Sequence, residues 1–139
     1  MAAAESCTGG LVAAAITEIA GSSNWFERGF VTYSNDAKIE LLGVSPATLQ
    51  RHGAVSEEMV REMVGGALDH SHADVALAIS GIAGPGGGTP DKPVGMVCFA
   101  WQQVRGEPRS VTRHFEGGRA EVRLHAALFA LNELRALVS

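Results

Sequence analysis

Apolar residues along the chain form two patterns. One is typical of buried strands, and the other is typical of amphipathic helices. Residues 74–80 are almost continuously apolar, as expected for a strand that is covered on both faces. Four further stretches with apolar content are bounded by turn residues. The pattern predicts strands over residues 2–5, 26–33, 74–80, 94–102 and 110–115. The last two strands are joined by a short connection, which permits an antiparallel hairpin and no crossover.

Apolar residues at helical spacing, together with local start and stop signals, predict five helices. The first helix covers residues 8–20, and the last follows Gly117-Gly118 and runs to about residue 138. Between them, one helix is capped by Asn35 or Asp36 and runs to 42, one begins with Ser45 as its cap and ends at 53, and one is capped by Ser56. The expected inner face of the first helix consists of Leu11, Val12, Ala15, Ile16 and Ile19. The expected inner face of the last helix consists of Ala127, Leu128, Leu131, Leu134 and Val138.

Strands alternate with helices in the first part of the chain, and a hairpin follows. This order predicts an α/β fold, a three-layer α/β/α sandwich on a mixed, mostly parallel sheet of about five strands. We expect a single domain over residues 1–139. Ligands bind open α/β sheets at the carboxyl ends of the strands. Ser6, Lys38 and a glycine-rich loop each follow a predicted strand, so we expect them to share one site.

Composition narrows the class of protein. The formal net charge of −4 disfavours nucleic acid as a partner, because phosphate contacts need a basic face. No apolar run reaches the roughly 18 residues of a membrane span, and no basic leader precedes an apolar stretch. The two cysteines are therefore expected to be reduced thiols in a cytoplasm. The five histidines are scattered outside recognised ligand patterns, and no metal site is predicted.

The segment Ala4–Gly10 carries a serine between a short strand and a helix, where unpaired backbone N–H groups can hold an anion. Ser6 is the candidate nucleophile, and it needs a base. Lys38 can serve only as the neutral amine, so its pKa must fall. Tyr33 can relay a proton or steady developing charge. The structural alternative is that Ser6 caps a helix and Lys38 lies on the surface.

The loop from Ser80 to Pro90 is rich in glycine, and its bare backbone can approach a ligand closely. It matches neither a Walker A motif nor a dinucleotide fingerprint. Ser80, Gly81, Gly84 and Gly86 are the candidate binding positions. An ordinary surface loop is the alternative.

Three charged residues are further candidates. Arg119 and Arg123 lie one helical turn apart, so they share a face on which they can hold a phosphate or remain solvated. Glu5 can orient Lys38, bind a ribose hydroxyl, or make a structural hydrogen bond. Cys7, next to Ser6, is a rival nucleophile if a lowered pKa makes it a thiolate, and otherwise a packing residue.

The chain resembles the C-terminal, amidohydrolase domain of the CinA family. The matching stretches are Ala4–Gly10, Phe26–Lys38, Gly53–Glu58, Ser80–Gly95 and Phe115–Arg123. Where the family commonly has threonine at the start of the glycine loop, this chain has Ser80, which keeps the hydroxyl. Family members usually have a leading helix and a longer first strand before the Ala4–Gly10 motif, so we expect either a short form of the domain or a native chain that extends further at its N-terminus.

The resemblance implies the same architecture and a reaction. Stand-alone members deamidate nicotinamide mononucleotide to nicotinic acid mononucleotide and ammonia, without a cofactor. The implied catalytic residues are Ser6, Lys38 and Tyr33. The implied substrate-binding residues are Glu5, the glycine loop and Arg119. Thr8, Gly9 and Gly10 would also contact the substrate, because their backbone N–H groups would hold the oxyanion.

Two other functions stay open. One is a non-catalytic nucleotide-binding module, because members fused to another domain are linked to competence. The other is a thiol enzyme that uses Cys7. Members of the family commonly self-associate, so a homo-oligomer with Trp25 or Trp101 in its interface is expected.

Overall fold

A computed structural model describes all 139 residues, and a five-stranded sheet lies at its centre. The strands are β1 (Ala2–Glu5), β2 (Arg28–Val31), β3 (Val75–Gly81), β4 (Met96–Gln103) and β5 (Arg109–His114). Their order across the sheet is β2-β1-β3-β4-β5. Strand β1 pairs in parallel with β2 and β3, whereas β4 is antiparallel to both β3 and β5. Only β4 therefore runs against the other four, which confirms the predicted mixed, mostly parallel sheet.

Helices cover both faces of the sheet, as the three-layer prediction requires. They are α1 (Leu11–Thr17), α2 (Asn35–Leu42), α3 (Pro46–His52), α4 (Glu57–Asp69) and α5 (Arg119–Val138), with a 3₁₀ turn at Ser22–Asn24. The apolar residues of α1 and α5 bury one face of the sheet, and those of α2 and α4 bury the other. None of these helices combines the length and the apolar content needed to cross a bilayer.

Strand β1 shows how the two cores are built from a short apolar stretch. Successive side chains of a strand point to opposite faces. Ala3 accordingly belongs to the α1/α5 core, and Ala2 and Ala4 belong to the α4 core. All three are fully buried. Because the side chains are methyl groups, the helices on both sides can lie close to the central strands.

Serine side chains fix the starts of the helices on the second face. Ser45 and Ser56 cap α3 and α4 as the sequence predicts, by accepting hydrogen bonds from the amides of Ala47 and Met59. Helix α2 is capped by Ser34, one residue earlier than expected, because its hydroxyl accepts from the Ala37 amide at 3.0 Å.

Helix α1 is shorter than predicted and begins at Leu11 instead of residue 8. Gly9 and Gly10 have φ angles of +57° and +108°, which a right-handed helix excludes. The helix ends at Thr17, and Ile19, expected on the inner face, is exposed. Residues 6–10 therefore form a loop with its own hydrogen bonds.

The inner face of α5 also differs from the prediction. Leu128 and Val138 are exposed, and small side chains replace them. The buried residues are Val122, Ala126, Ala127, Ala130 and Leu134. The alanines leave room for the rings of Phe99 and Trp101, which stack at a centroid distance of 5.8 Å. Trp101 donates to the carbonyl of Ala130, so the expectation that it lies in an interface is wrong, whereas Trp25 is exposed.

Helix α4 packs against the end of α2 through Gly66, and this contact predicts an asymmetry between two adjacent glycines. A Cβ atom at Gly66 would overlap the carbonyl group of Leu42, whereas one at Gly65 would meet its nearest neighbour at 3.8 Å. We expect Gly66→Ala to lower the free energy of unfolding by about 2 kcal/mol or more. Gly65→Ala, the matched control, should leave it unchanged or raise it by up to about 1 kcal/mol. Urea unfolding of both variants tests this, and equal effects would contradict the proposed contact.

Candidate active site

The carboxyl ends of the parallel strands meet at one edge of the sheet, and a cavity of about 270 Å³ opens there. Nine of the residues singled out in the sequence line it: Ser6, Cys7, Tyr33, Lys38, Ser80, Gly81, Gly84, Gly86 and Arg119. Asn35 and Val55 also line it, although their sequence context gave no sign of a role. The topology therefore brings the three segments together, as the edge argument predicts.

Ser6 and Lys38 are in direct polar contact in the cavity. The Nζ atom of Lys38 lies 3.0 Å from the Oγ atom of Ser6. Ser6 directly follows β1, and Lys38 projects from the first turns of α2, which Ser34 caps. The Lys38 side chain is 1% exposed, so it is not the surface residue of the structural alternative.

The surroundings of Lys38 favour its neutral form. Burial lowers the pKa of Lys38 below its ordinary value, and the nearby Cys7 acts weakly in the opposite direction. None of the ion pairs in the structure includes Lys38. Its Nζ atom lies 2.8 Å from the carbonyl oxygen of Thr32 and 3.2 Å from that of Tyr33. These two carbonyls can accept both N–H bonds of a neutral amine, and the remaining lone pair then faces the Ser6 hydroxyl.

Arg119 connects two walls of the cavity. Its guanidinium donates one hydrogen bond to the carbonyl of Gly84 at 2.8 Å and another to the hydroxyl of Tyr33 at 3.1 Å. The Tyr33 side chain is exposed, and only its main-chain carbonyl contacts Lys38. Arg119 therefore fixes the phenol at the cavity mouth and ties it to the glycine loop.

The glycine loop presents a row of unused backbone donors. Its base is closed by hydrogen bonds between Ile82 and both Met96 and Gly95. The amides of five loop residues donate to no acceptor in the protein: Ala83, Gly84, Gly86, Gly87 and Gly88. A Cβ atom at Gly84 would lie 2.5 Å from Val94, so this position requires glycine. The loop can therefore offer several N–H groups to an anion or to oxygen atoms of a ligand.

The contacts of Glu5 favour the structural hydrogen bond over orientation of Lys38 or binding of a ribose hydroxyl. The side chain is 1% exposed, and it accepts hydrogen bonds from the Thr8 hydroxyl at 2.6 Å and from the amides of Val12 and Ala13 at 2.9 and 3.1 Å. It also accepts from the amide of Gly10 at 3.2 Å. The carboxylate of Glu5 thus occupies the N-terminus of α1, where the sequence argument expected an anion from the substrate.

The predicted oxyanion contacts of the Gly9 and Gly10 amides find no support in this geometry. Glu5, Thr8, Gly9 and Gly10 do not line the cavity. The Gly10 amide is bound to Glu5, and the Gly9 amide donates to the carbonyl of Ser6. Neither glycine amide is therefore available to hold an oxyanion in this conformation.

Arg123 does not join Arg119 in an anion site. Its Nε atom donates to the carbonyl oxygen of Cys7 at 3.0 Å, and its Nη2 atom donates to that of Thr8 at 3.2 Å. The two arginines share a helical face, as their spacing indicates, but Arg123 reaches the loop that follows Ser6. Sequence reasoning missed this contact, because backbone carbonyls leave no pattern in the side chains.

Cys7 lines the cavity beside Ser6, and its environment disfavours a thiolate. Burial raises the pKa of the Cys7 thiol to about 11, and its own amide and Arg123 offset this only in part. A protonated thiol is a weak nucleophile. The geometry and the charge therefore favour Ser6 over Cys7 as the reacting group.

An open α/β sheet with a buried hydroxyl–amine pair at its carboxyl edge defines the class of this protein. The model of the CinA C-terminal domain matches residues 1–138, and the chain belongs to this family.

Named relatives and a solved structure agree with this assignment. The nicotinamide-nucleotide amidohydrolase PncC of Enterobacter agglomerans is 59% identical over 128 residues, which cover 92% of this chain and 78% of that protein. The protein of the same name from Escherichia coli K12 is 58% identical over 131 residues, covering 94% and 79%. The crystal structure of the competence/damage inducible protein CihA from Agrobacterium tumefaciens has a TM-score of 0.96 at 50% identity, covering 99% of this chain and 84% of that chain.

The raised pKa of Cys7 predicts slow alkylation. At pH 7.5 we expect iodoacetamide to modify Cys7 at least about a hundredfold more slowly than an unperturbed thiol, because the pKa of about 11 lies about two units above the ordinary 9.0. The rate should still be rising at pH 10. Peptide mass spectrometry measures it, with the urea-unfolded chain as control. A rate that levels off by pH 8 would show a stabilised thiolate instead.

Proposed function

We propose that this protein hydrolyses the carboxamide of nicotinamide mononucleotide to nicotinic acid mononucleotide and ammonia, with Ser6 as nucleophile and Lys38 as base. The observation that carries the proposal is the 3.0 Å contact between a buried lysine amine and a serine hydroxyl in a cavity. The names of the relatives from Enterobacter agglomerans and Escherichia coli supply the substrate class.

The first half of the reaction transfers the acyl group to Ser6. The Oγ atom attacks the amide carbon, and its proton passes to the neutral Lys38 amine. The carbonyl becomes an oxyanion in a tetrahedral intermediate. When the oxyanion collapses, the C–N bond breaks, Lys38 returns the proton to the leaving nitrogen, and ammonia departs. An ester between Ser6 and the nicotinoyl group remains.

The second half consumes water. Lys38, again neutral, takes a proton from a water molecule as its oxygen attacks the ester carbon. The bond between the carbon and the Ser6 Oγ atom then breaks, and Lys38 returns the proton to that oxygen. The products are the free serine and the nicotinic acid group. Lys38 carries the proton in each of these steps, so the proposed reaction proceeds without a metal or an organic cofactor.

The remaining cavity groups fit the other parts of the substrate. The unused amides of the glycine loop and the guanidinium of Arg119 suit the ribose and phosphate oxygens. Tyr33 stands at the mouth with its hydroxyl held by Arg119, where it can contact the leaving nitrogen or the ribose. The cavity of about 270 Å³ falls just below the usual 300–1,000 Å³ range of small-molecule sites, in keeping with a mononucleotide.

A non-catalytic nucleotide-binding module is the second candidate function. The similarity to the competence/damage inducible protein CihA of Agrobacterium tumefaciens is the observation that favours it. It predicts nucleotide binding without turnover, whereas burying an unpaired lysine beside a serine has no use in simple binding.

We expect the protein to act in the cytoplasm, with both thiols reduced, and to form a homo-oligomer.

Adjacent substitutions separate the serine mechanism from both alternatives. Ser6→Ala should lower kcat for ammonia release by a factor of about 1000 or more and leave nucleotide affinity within a few-fold, because the methyl group removes only the nucleophile. Cys7→Ala, the matched neighbour, should keep turnover within a few-fold, because the backbone is unchanged. Coupled ammonia assays and calorimetry measure both. A Ser6→Ala enzyme with wild-type turnover would overturn the proposal, and an inactive Cys7→Ala enzyme would favour the thiol.

The lowered pKa of Lys38 predicts the pH dependence of the reaction. Only the neutral amine accepts a proton, so kcat/KM should rise with pH along one ionisation whose midpoint lies below the ordinary 10.5, and then level off. Below the midpoint the rate should fall about tenfold per pH unit. No histidine lines the cavity, so no second ionisation is expected in the pH profile from such a residue. Lys38→Arg, which stays charged, should be inactive throughout. A wild-type rate that falls as pH rises would exclude this base.

A further inference from the structure

The loop after Ser6 is held from two sides by opposite charges. The carboxylate of Glu5 binds the Thr8 hydroxyl and the amides of residues 10, 12 and 13. The guanidinium of Arg123 binds the carbonyls of Cys7 and Thr8. Glu5 therefore holds backbone N–H groups at the end of the loop that follows Ser6, and Arg123 holds backbone carbonyl groups near its start.

Two amides in this loop remain without an acceptor on another residue. The N–H groups of Cys7 and Thr8 donate to no other residue of the protein, although the two residues are only 6% and 0% exposed. The Cys7 amide faces only its own thiol, which is a weak acceptor. Buried backbone N–H groups without a strong partner are rare, because each loses its hydrogen bond to water. Cys7 lines the cavity together with Ser6, so its amide lies next to the proposed nucleophile, and the Thr8 amide belongs to the following peptide.

The direction of both amides follows from the carbonyls of the same peptide units. In a trans peptide the C=O and N–H bonds point in opposite directions. The Ser6 carbonyl accepts from the Gly9 amide, so the Cys7 N–H points away from Gly9. The Cys7 carbonyl accepts from Arg123, so the Thr8 N–H points away from Arg123. Arg123 thereby sets the plane of the peptide that joins Cys7 to Thr8.

We propose that Arg123 is a positioning residue for the reaction, which holds the Cys7–Thr8 peptide so that the Thr8 N–H group joins the Cys7 N–H group in stabilising the oxyanion formed at Ser6. This inference rests on the proposed function. An amide directly after the nucleophile is a recurrent oxyanion donor in serine hydrolases of other folds. Arg123 itself touches no reacting atom, since both of its hydrogen bonds end on the loop backbone.

The first test separates binding from chemistry. Arg123→Met keeps most of the side-chain length and removes the donors, and Arg123→Lys keeps the charge and one donor. We expect kcat for nicotinamide mononucleotide to fall roughly ten- to a hundredfold in Arg123→Met and less in Arg123→Lys, with KM within about threefold of wild type. Arg135→Met, an exposed arginine of the same helix, is the control and should behave as wild type. An unchanged kcat in both Arg123 variants, or a loss confined to KM, would overturn the proposal.

The second test measures binding and needs no turnover. If Arg123→Met folds poorly, the same measurement can be carried out with Arg123→Lys alone. The pyridine-3-carboxaldehyde analogue of the substrate accepts the Ser6 Oγ atom at its aldehyde carbon, the Ser6 proton passes to Lys38, and the oxygen becomes the oxyanion. We expect its Kd to weaken in parallel with kcat, while the Kd of the product nicotinic acid mononucleotide stays constant.

The outcomes of the two tests are distinguishable. A wild-type enzyme that binds the aldehyde tightly but releases no ammonia would contradict the proposed function, and the aldehyde affinities would still decide the role of Arg123. An aldehyde that binds wild type no more tightly than Ser6→Ala would overturn the proposal, because no oxyanion would then form at Ser6. Equal weakening of aldehyde and product would reduce Arg123 to a structural residue.

Discussion

The burial of Lys38 without a carboxylate is the constraint on which the site depends. A buried ammonium group needs a compensating charge, and here only neutral oxygen atoms surround the amine. The pKa of Lys38 is therefore lowered by its place in the fold and not by an ionic partner. Two carbonyls from the end of β2 orient the amine toward Ser6. The chemistry that we propose for Ser6 is thus a consequence of how β2, α2 and β1 meet.

The parallel arrangement of β1, β2 and β3 makes that meeting possible. Parallel strands end at the same edge, so the residues that follow each of them converge without further contacts. The alanines of β1 let helices approach from both sides, and the shielded edge keeps water away from Lys38. The short side chains of β1 thus set how closely the two helical layers pack on the central strands.

Those parts of the fold and site that depend on periodicity or strand order could be predicted from the sequence. The order of elements, the caps at Ser45 and Ser56, and the shared edge of Ser6, Lys38 and the glycine loop belong to this group. The contact of Ser6 with Lys38 could not be derived, because the residues are far apart in the chain. The roles of Glu5 and Arg123 were also out of reach, since both side chains bind backbone atoms, which are the same for every sequence. The inner face of α5 was misassigned, because alanines opposite large rings carry little hydrophobic signal.

Glu5 and Arg123 show why the loop between β1 and α1 needs both charges. The glycines at positions 9 and 10 allow the chain to turn, but they also make it flexible. A carboxylate alone would fix the amides near α1 and leave the peptide between Cys7 and Thr8 free to rotate. A guanidinium alone would fix that peptide and leave the helix without a cap. With both, the amides of Cys7 and Thr8 are the only donors of the loop that no other residue accepts, so the contacts that stabilise the loop also fix the direction of the proposed oxyanion donors.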